Sequence, residues 1–499
     1  MKNTLLSFLI GQRCEGIRHF SENPIHVQNN VLTELISKAK NTEFGVEHKF
    51  YLINNYIDYI NNVPVRKYED FYPFIERSRK GVQNVIWPTK INLYSKSSGT
   101  TNSRSKFIPV TKESLFKCHF KAGKDMLALY TSNFGTTNIY RGKGLMLGGS
   151  LDKINSSLCK QGDLSAILID KFPYWVNMHR VPDKKTALMP NWEEKINRIA
   201  EQAIKSNITN LTGVPSWMLV LLKHILNITG KDNLSEIWPN LEVFFHGGVS
   251  FDPYRSQFNE VISNSNMNYL EGYNGSEGFF AIQDLKDSQG LLLLLDHGIF
   301  YEFIDLKEYN NGKNTSILLD EVKLDVNYVL VISTNGGLWR YVIGDVISFT
   351  SIKPFRVRVV GRTKSFLNAF GEEVIVEDAD RALLETCKKF QVVFNEYTVA
   401  PFFISNTSPG RHQWLIDFSK EPKDINQFAK VLDENLKKLN SDYTAKRSNN
   451  LVLKQPEVIM IKNNEFYKWL KHNNRLGGQN KIPRLSNDRK IVDFILHQT

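Results

Sequence analysis

From Val31 to Ala39 the chain reads VLTELISKA, with Leu32, Leu35 and Ile36 at helical spacing on one face. That period predicts an amphipathic helix whose role is core packing. The same period returns in DINQFAKVLDENLKKL, where Ile425, Phe428, Leu432, Leu436 and Leu439 share a face. From the middle of the chain onward, short β-rich runs alternate with helices. LEVFFHGGVSF (241–251) is an apolar run of strand length broken by Gly247-Gly248, a place where backbone can approach a ligand closely. NYVLVIST (327–334) predicts a strand, and Asn335-Gly336-Gly337 turns it into LWRYVIGDVISF as its hairpin partner. Strands and helices alternating in this way predict an α/β architecture.

A domain boundary is expected near VVGRTKSFLNAFGEEV (359–374), where a strand ends in Gly361-Arg362 and a polar stretch follows. Beyond it come a helix with Ala382, Leu383 and Leu384, strands near VVFNEYTVAPFF and HQWLIDF, and the second amphipathic helix. These elements make a compact α+β domain of ordinary size. Residues 1–362 therefore read as a large N-terminal domain and 363–499 as a smaller C-terminal one, joined by a glycine-bearing hinge. A chain of 499 residues is too long for one ordinary core, which agrees with that division.

Composition excludes several classes. Apolar residues make up 41% and charged residues 23%, which is globular rather than disordered. The net charge of +11 is spread without an Arg/Lys block or an aromatic-interleaved basic motif, so no nucleic-acid partner is expected and anionic small substrates remain. Cys14, Cys118, Cys159 and Cys387 lie far apart, with no CxxC and no histidine at zinc spacing, and read as reduced core thiols. The start, MKNTLLSFLIGQRC, has no small-x-small cleavage site and reads as an amphipathic helix rather than a signal peptide. The run LLLLL at 291–295 is too short to span a bilayer and meets Asp296. A cytoplasmic protein without a membrane partner is expected. Phe172, Tyr174, Trp175 and Trp217 are assigned to the core by their size.

Three stretches carry candidate chemistry. In SKSSGTTNSRSK, Gly99 permits a tight turn, the amides and the hydroxyls of Ser97, Ser98, Thr100 and Thr101 can donate to phosphate oxygens, and Lys106 or Arg104 can neutralise them. The spacing is not that of a Walker A loop, and a polar surface loop explains the stretch equally well. In LEGYNGSEGFFAIQ, Glu277 sits in a tight Gly-Ser-Glu-Gly turn that suits a magnesium ligand beside triphosphate, with Ser276 placed to touch the same phosphate; a solvated glutamate in an ordinary loop is the alternative. In WRYVIGD, Asp345 reads as a carboxylate at a strand end, able to accept both ribose hydroxyls of a nucleotide, although Gly-Asp is also a common turn.

Together with GVPSWMLVLLK, FFHGGVSFDPY, GRTKSFLNAFGEEV and GGQNKIPRL, these stretches occur in a fixed order over nearly the whole chain. In that order the sequence resembles the Gretchen Hagen family of acyl-acid amido synthetases. That family lies in the adenylate-forming superfamily of acyl-CoA synthetases and luciferases. The resemblance implies a large N-terminal adenylate-forming domain with a smaller, mobile C-terminal one. It also implies a reaction: a carboxylic acid is activated with Mg-ATP to an acyl-adenylate, pyrophosphate leaves, and an amine, usually of an amino acid, attacks.

Carried onto this chain, the resemblance has Ser97, Ser98, Gly99, Thr100 and Thr101 cradling the ATP phosphates with Lys106 nearby. Glu277 would hold magnesium, Ser276 the α-phosphate and Asp345 the ribose. Tyr273 would pack on one face of adenine, with Gly247, Gly248 and Val249 on the other. Arg362 would stand at the hinge, and Lys481 would swing in to contact the forming acyl-phosphate. Trp217 and Met218 would flank the acyl pocket, and His246 would line the adenine site rather than act as a base. The chain departs from the superfamily in having Asn102-Ser103 where a glycine usually follows the two threonines. A thioester ligase acting on coenzyme A or a carrier thiol, and a non-catalytic nucleotide- or acyl-binding sensor, are the alternative readings.

Overall fold

The computed structural model describes residues 13–97, 106–134, 137–151, 159–248, 251–286, 288, 290–363, 366–367, 369, 372, 374–402, 410–447, 453–462, 464–473, 475–477 and 480–497. Two compact units account for them. The first comprises Met1–Phe251, Gln257–Val359 and Gly477–Gln479, and the second Asp252–Ser256, Val360–Leu476 and Asn480–Thr499.

In the first unit the strands run in chain order β1 (Leu93–Ser97), β2 (Lys106–Pro109), β3 (Lys143–Met146), β4 (Lys160–Gly162), β5 (Arg180–Val181), β6 (Ile208–Gly213) and β7 (Val243–Gly247). They continue as β8 (Asn268–Gly275), β9 (Gly278–Ile282), β10 (Leu291–Leu293), β11 (Ile299–Asp305), β12 (Asn327–Thr334), β13 (Tyr341–Ile352) and β14 (Phe355–Arg362), the last of which crosses into the second unit. Eleven of these form one mixed sheet in the order β11-β12-β13-β14-β10-β9-β8-β7-β6-β3-β5. Neighbours from β5 to β8 are parallel. The β8–β9 step begins the antiparallel half, which includes the β10–β14, β12–β13 and β11–β12 pairs. A small second sheet has the order β2-β1-β4.

The sequence patterns explain this division. Residues 243–246 of β7, Val-Phe-Phe-His, are all buried, as expected for a parallel strand covered on both faces. NYVLVIST forms β12 with the bounds its pattern predicts, and Ile332 pairs with Tyr341 across the glycine turn, where Gly337 has φ +86°. VLTELISKA lies in the Pro24–Ala39 helix, with Leu32, Leu35 and Ile36 buried and a proline in its first turn. Trp87 and Trp339 are fully enclosed in the core of this unit.

The second unit has its own core. The pair β15 (Phe366–Leu367) and β16 (Val374–Ile375) leads into the Val376–Phe390 helix, followed by β17 (Val393–Phe402), β18 (Arg411–Lys420), the Ile425–Leu439 helix and β19 (Glu457–Ile461). Strands β17, β18 and β19 form a sheet, antiparallel then parallel. Phe428, Leu432 and Leu436 from the second amphipathic face meet Tyr397, Trp414 and Ile416 from the sheet.

Three sequence expectations need correction. Tyr174 is 80% exposed and Trp175 58% exposed, Phe172 is half-buried, and only Trp217 of the four aromatics is core. Tyr174 and Trp175 belong to a helix of five residues that buries none of its side chains. Among the cysteines, Cys118 and Cys387 are buried, whereas Cys14 and Cys159 are only partly so; all four are free thiols. Asp345 is not at a strand end but inside β13, next to Gly344 at φ +93°.

Candidate active site

The parallel strands β3, β6, β7 and β8 all finish at one edge of the sheet, and ligands of open α/β sheets bind outside such carboxyl ends. Glycine crowds that edge. Register sets Gly213 opposite His246 and Gly247 opposite Gly272. A Cβ on Gly247 would lie 2.3 Å from the carbonyl oxygen of Gly272, so no side chain fits there, and Gly248 takes φ +87°. His246 is buried with its ring stacked on Phe251 at 4.3 Å between centroids.

Strands β8 and β9 are joined by a two-residue turn, Ser276-Glu277, closed by the Gly275–Gly278 pair. Ser95 of β1 donates from Oγ to Ser276 Oγ at 2.8 Å, which ties the strand leading into the hydroxyl-rich stretch to the acidic turn. On the far side of that stretch, Lys106 opens β2 directly opposite Ser97. The Lys106 ammonium lies 5.4 Å from the centre of the Tyr68 ring, and the Tyr68 hydroxyl accepts from the Phe107 amide at 2.8 Å. The stretch is therefore held at both of its ends. Ser98, Gly99, Thr100 and Thr101, like Val249, lie outside the described residues.

Tyr273 and Asp345 meet directly, the phenol donating to Asp345 Oδ2 at 2.8 Å. The pairing of β12 with β13 shifts register between Val329 and Val331, opposite the Gly344 region, and such a bulge re-aims the side chains beside it. Tyr273 is buried, its ring 4.8 Å from Phe280. The edge thus gathers Gly247, Gly248, Tyr273, Ser276 and Glu277, with Asp345 joined through Tyr273, and the small sheet that carries Ser97 and Lys106 is tied to it through Ser95. Trp217 and Met218 are buried in the first turns of the Pro215–Thr229 helix that follows β6, with Trp217 edge-on to Trp192 at 4.7 Å. Arg362, exposed at the end of β14, and Lys481 belong to the second unit.

Sequence reading missed two supports of this edge. Ser95 carried no motif signal beyond its place among other hydroxyls. Lys195, on the Trp192–Ile204 helix, donates to the carbonyls of Gly148 and Gly149 at 2.7 Å each and so grips the turn that follows β3. Burial pushes its ammonium down to about 8, against a raising contribution from Asp163. In sequence it is one lysine of an outwardly polar helix, and only the fold makes it internal.

Metal binding can be tested on donor chemistry. Among the described residues Asp125, Asp296 and His297 could converge on one ion. Arg13 already donates to Asp125 Oδ1 at 2.7 Å and to Asp296 Oδ2 at 2.7 Å, and Lys121 lies 2.8 Å from Asp296. Burial favours a raised Asp296, yet His297 and Lys121 hold it well below the usual carboxylate range. Two resident cations make this a closed ion network, unsuited to magnesium. Glu277, on a half-buried turn, offers the kind of hard oxygen donor that magnesium takes.

Three domain families match in order: the GH3 family N-terminal domain over residues 13–267, the GH3 family central domain over 292–362 and the GH3 family C-terminal domain over 377–490. The chain belongs to the GH3 family. It is a ligase of the acyl-acid amido synthetase class. It is 23% identical to the indole-3-acetic acid-amido synthetase GH3.4 of Arabidopsis thaliana, over 94% of this chain and 90% of that protein. The fold is similar to that of the AtGH3.15 acyl acid amido synthetase in complex with 2,4-DB, with TM-score 0.80, 17% identity and coverage of 97% and 95%. A 2-hydroxyisobutyryl-CoA ligase in its postadenylation state shares the fold at TM-score 0.60 and 12% identity, covering 94% of this chain and 91% of that one. A large N-terminal α/β body with a smaller C-terminal domain is therefore the architecture of this GH3 chain.

Proposed function

We propose that this chain activates a carboxylic acid with Mg-ATP to an acyl-adenylate and then transfers the acyl group to the amino group of an amino acid. The observation that supports it best is the meeting of three distant stretches at one sheet edge, through the Ser95–Ser276 and Tyr273–Asp345 hydrogen bonds. In this reading Ser97, Ser98, Gly99, Thr100 and Thr101 supply donors to the phosphates and Lys106 their counter-charge. Asp345, oriented by Tyr273, accepts the ribose hydroxyls. Gly247, Gly248 and Val249 leave room for adenine, with Tyr273 opposite, and Ser276 donates to the α-phosphate.

Glu277 would hold magnesium, which when bound neutralises phosphate charge and favours departure of pyrophosphate. Attack by the substrate carboxylate places negative charge on the α-phosphorus, so prepositioned donors and a cation lower the barrier without a protein nucleophile. Lys481 would contact the forming acyl-phosphate, and Arg362 would serve the hinge between the two half-reactions. Trp217 and Met218 would bound the acyl pocket. The relatives named for indole-3-acetic acid and the 2,4-DB complex make aromatic acids the first to try.

The test is pyrophosphate release with Mg-ATP across an acid panel, each acid with amino acids, with coenzyme A, or with neither. Release followed by amide formation only with amino acids supports the proposal. Thioester formation with coenzyme A would move the chain to the thioester ligases, and ATP binding without release under any condition would favour a sensor.

A further inference from the structure

The segment that carries Lys481 is held in the second unit by a buried arginine, Arg484. Thr398 donates from Oγ1 to the carbonyl of Pro483 at 2.7 Å, Val399 N–H to that of Arg484 at 2.8 Å, and Ser486 N–H returns to Val399 at 3.0 Å. Val399 and Leu485 thereby form an isolated parallel bridge, which pins the segment to β17 next to a bend at Arg484. Lys481 and Pro483 are half-buried, whereas Ile482, Arg484 and Leu485 are buried.

Arg484 turns inward onto charge. Its Nη1 donates to Asp380 Oδ2 at 2.5 Å, and the other oxygen of Asp380 accepts from the Tyr397 phenol at 2.5 Å. Its Nε lies 3.9 Å from Glu396 Oε1, and its guanidinium 5.4 Å from the Tyr397 ring centre. Asp380 and Tyr397 are themselves buried, on the Val376–Phe390 helix and β17. A buried ion pair gains little net stability over apolar side chains of similar volume, and in some proteins its role is to fix register. Moving the segment by one residue along β17 would shift it by about 3.3 Å. Here such a shift would take the Arg484 guanidinium away from Asp380 and displace Lys481 by the same distance.

We propose that Arg484, through Asp380, is a positioning residue that sets the register of the 481–486 segment and thereby presents Lys481 for the adenylation step. This rests on the catalytic reading of Lys481. The experiment compares the full-length enzyme with Lys481→Ala, Arg484→Lys, the charge-free pair Arg484→Met/Asp380→Asn, and each Arg484 change combined with Lys481→Ala. Pyrophosphate release, amide formation from supplied acyl-adenylate and the urea midpoint are measured for each.

Arg484→Met/Asp380→Asn is expected to fold, to lose at least tenfold in kcat for adenylation with KM for ATP within twofold, and to keep the amine step within twofold. In the Lys481→Ala background the same change should cost less than a further twofold, since a residue acting through the lysine has nothing left to position. A full multiplicative loss in that background, or adenylation at the parental rate in both Arg484 variants, overturns the proposal while leaving Lys481 in place. Parental adenylation by Lys481→Ala overturns the lysine reading and this inference with it. If the charge-free pair does not fold, Arg484→Lys decides by the same comparison.

Discussion

Tyr273 has one hydroxyl and gives it to Asp345. Tyr273→Phe keeps the ring on Phe280 and removes that bond, worth about 1.5 kcal/mol at the low end for a hydrogen bond to a charged group. KM for ATP is expected to rise about tenfold with kcat nearly unchanged, measured by pyrophosphate release. A rise confined to KM for the acid would detach the pair from the nucleotide. Glu277→Ala is expected to slow adenylation about 100-fold or more, as removal of a transition-state stabilising group does; pyrophosphate exchange at the parental rate would remove Glu277 from the metal. His119 makes a third residue-scale case, because burial, with His297 beside it, pushes its imidazole down from 6.5 to about 4. The unfolded chain then takes up a proton that the folded chain refuses as pH falls below 6.5, so stability present at neutral pH is lost towards pH 4. Urea midpoints of the parent should fall more steeply from pH 7 to 4 than those of His119→Gln, and parallel curves would show that His119 does not control acid sensitivity.

Among the elements, two glycines separate backbone function from mere tolerance. At Gly247 the obstacle to a side chain is the Gly272 carbonyl, which cannot move without parting β7 from β8. Gly247→Ala is expected to cost about 1–3 kcal/mol in urea unfolding and to weaken ATP binding with it. Gly123 lies in the Phe120–Asn133 helix with nothing within 4 Å of an added Cβ. Gly123→Ala is expected to stabilise by about 0.5–1 kcal/mol and leave turnover unchanged. Stabilisation at both sites, or at neither, would break the distinction. Elements with a strong period were legible from sequence: β12, the Ile425–Leu439 helix and the 31–39 part of the Pro24–Ala39 helix follow from spacing. The position of Asp345 was not, since its bulge exists only relative to the register of β12. Nor was the exposure of Tyr174 and Trp175, because aromatic character does not reveal whether a short helix finds a surface to cover.

For the whole molecule, the two units have separate hydrophobic cores, one around Trp87 and Trp339 and one around Trp414. Unfolding in urea is expected to give transitions that do not coincide when Trp414 fluorescence is compared with that of the first-unit tryptophans, using Trp→Phe variants. Coincident transitions would show one cooperative unit instead. No helix among the described residues is long and apolar enough to cross a membrane, in keeping with the short run at Leu291–Leu295, whose first three residues form a buried strand. Hydrophobic period, turn residues and the ordered motifs are properties of contiguous chain, and so the α/β class, the main elements and the family likeness could be read directly. Contacts across long separations are not. That Ser95 meets Ser276, that Tyr273 meets Asp345, that Lys195 is internal and that Arg484 closes on Asp380 each depend on register and burial, which appear only when distant segments share one sheet or one core.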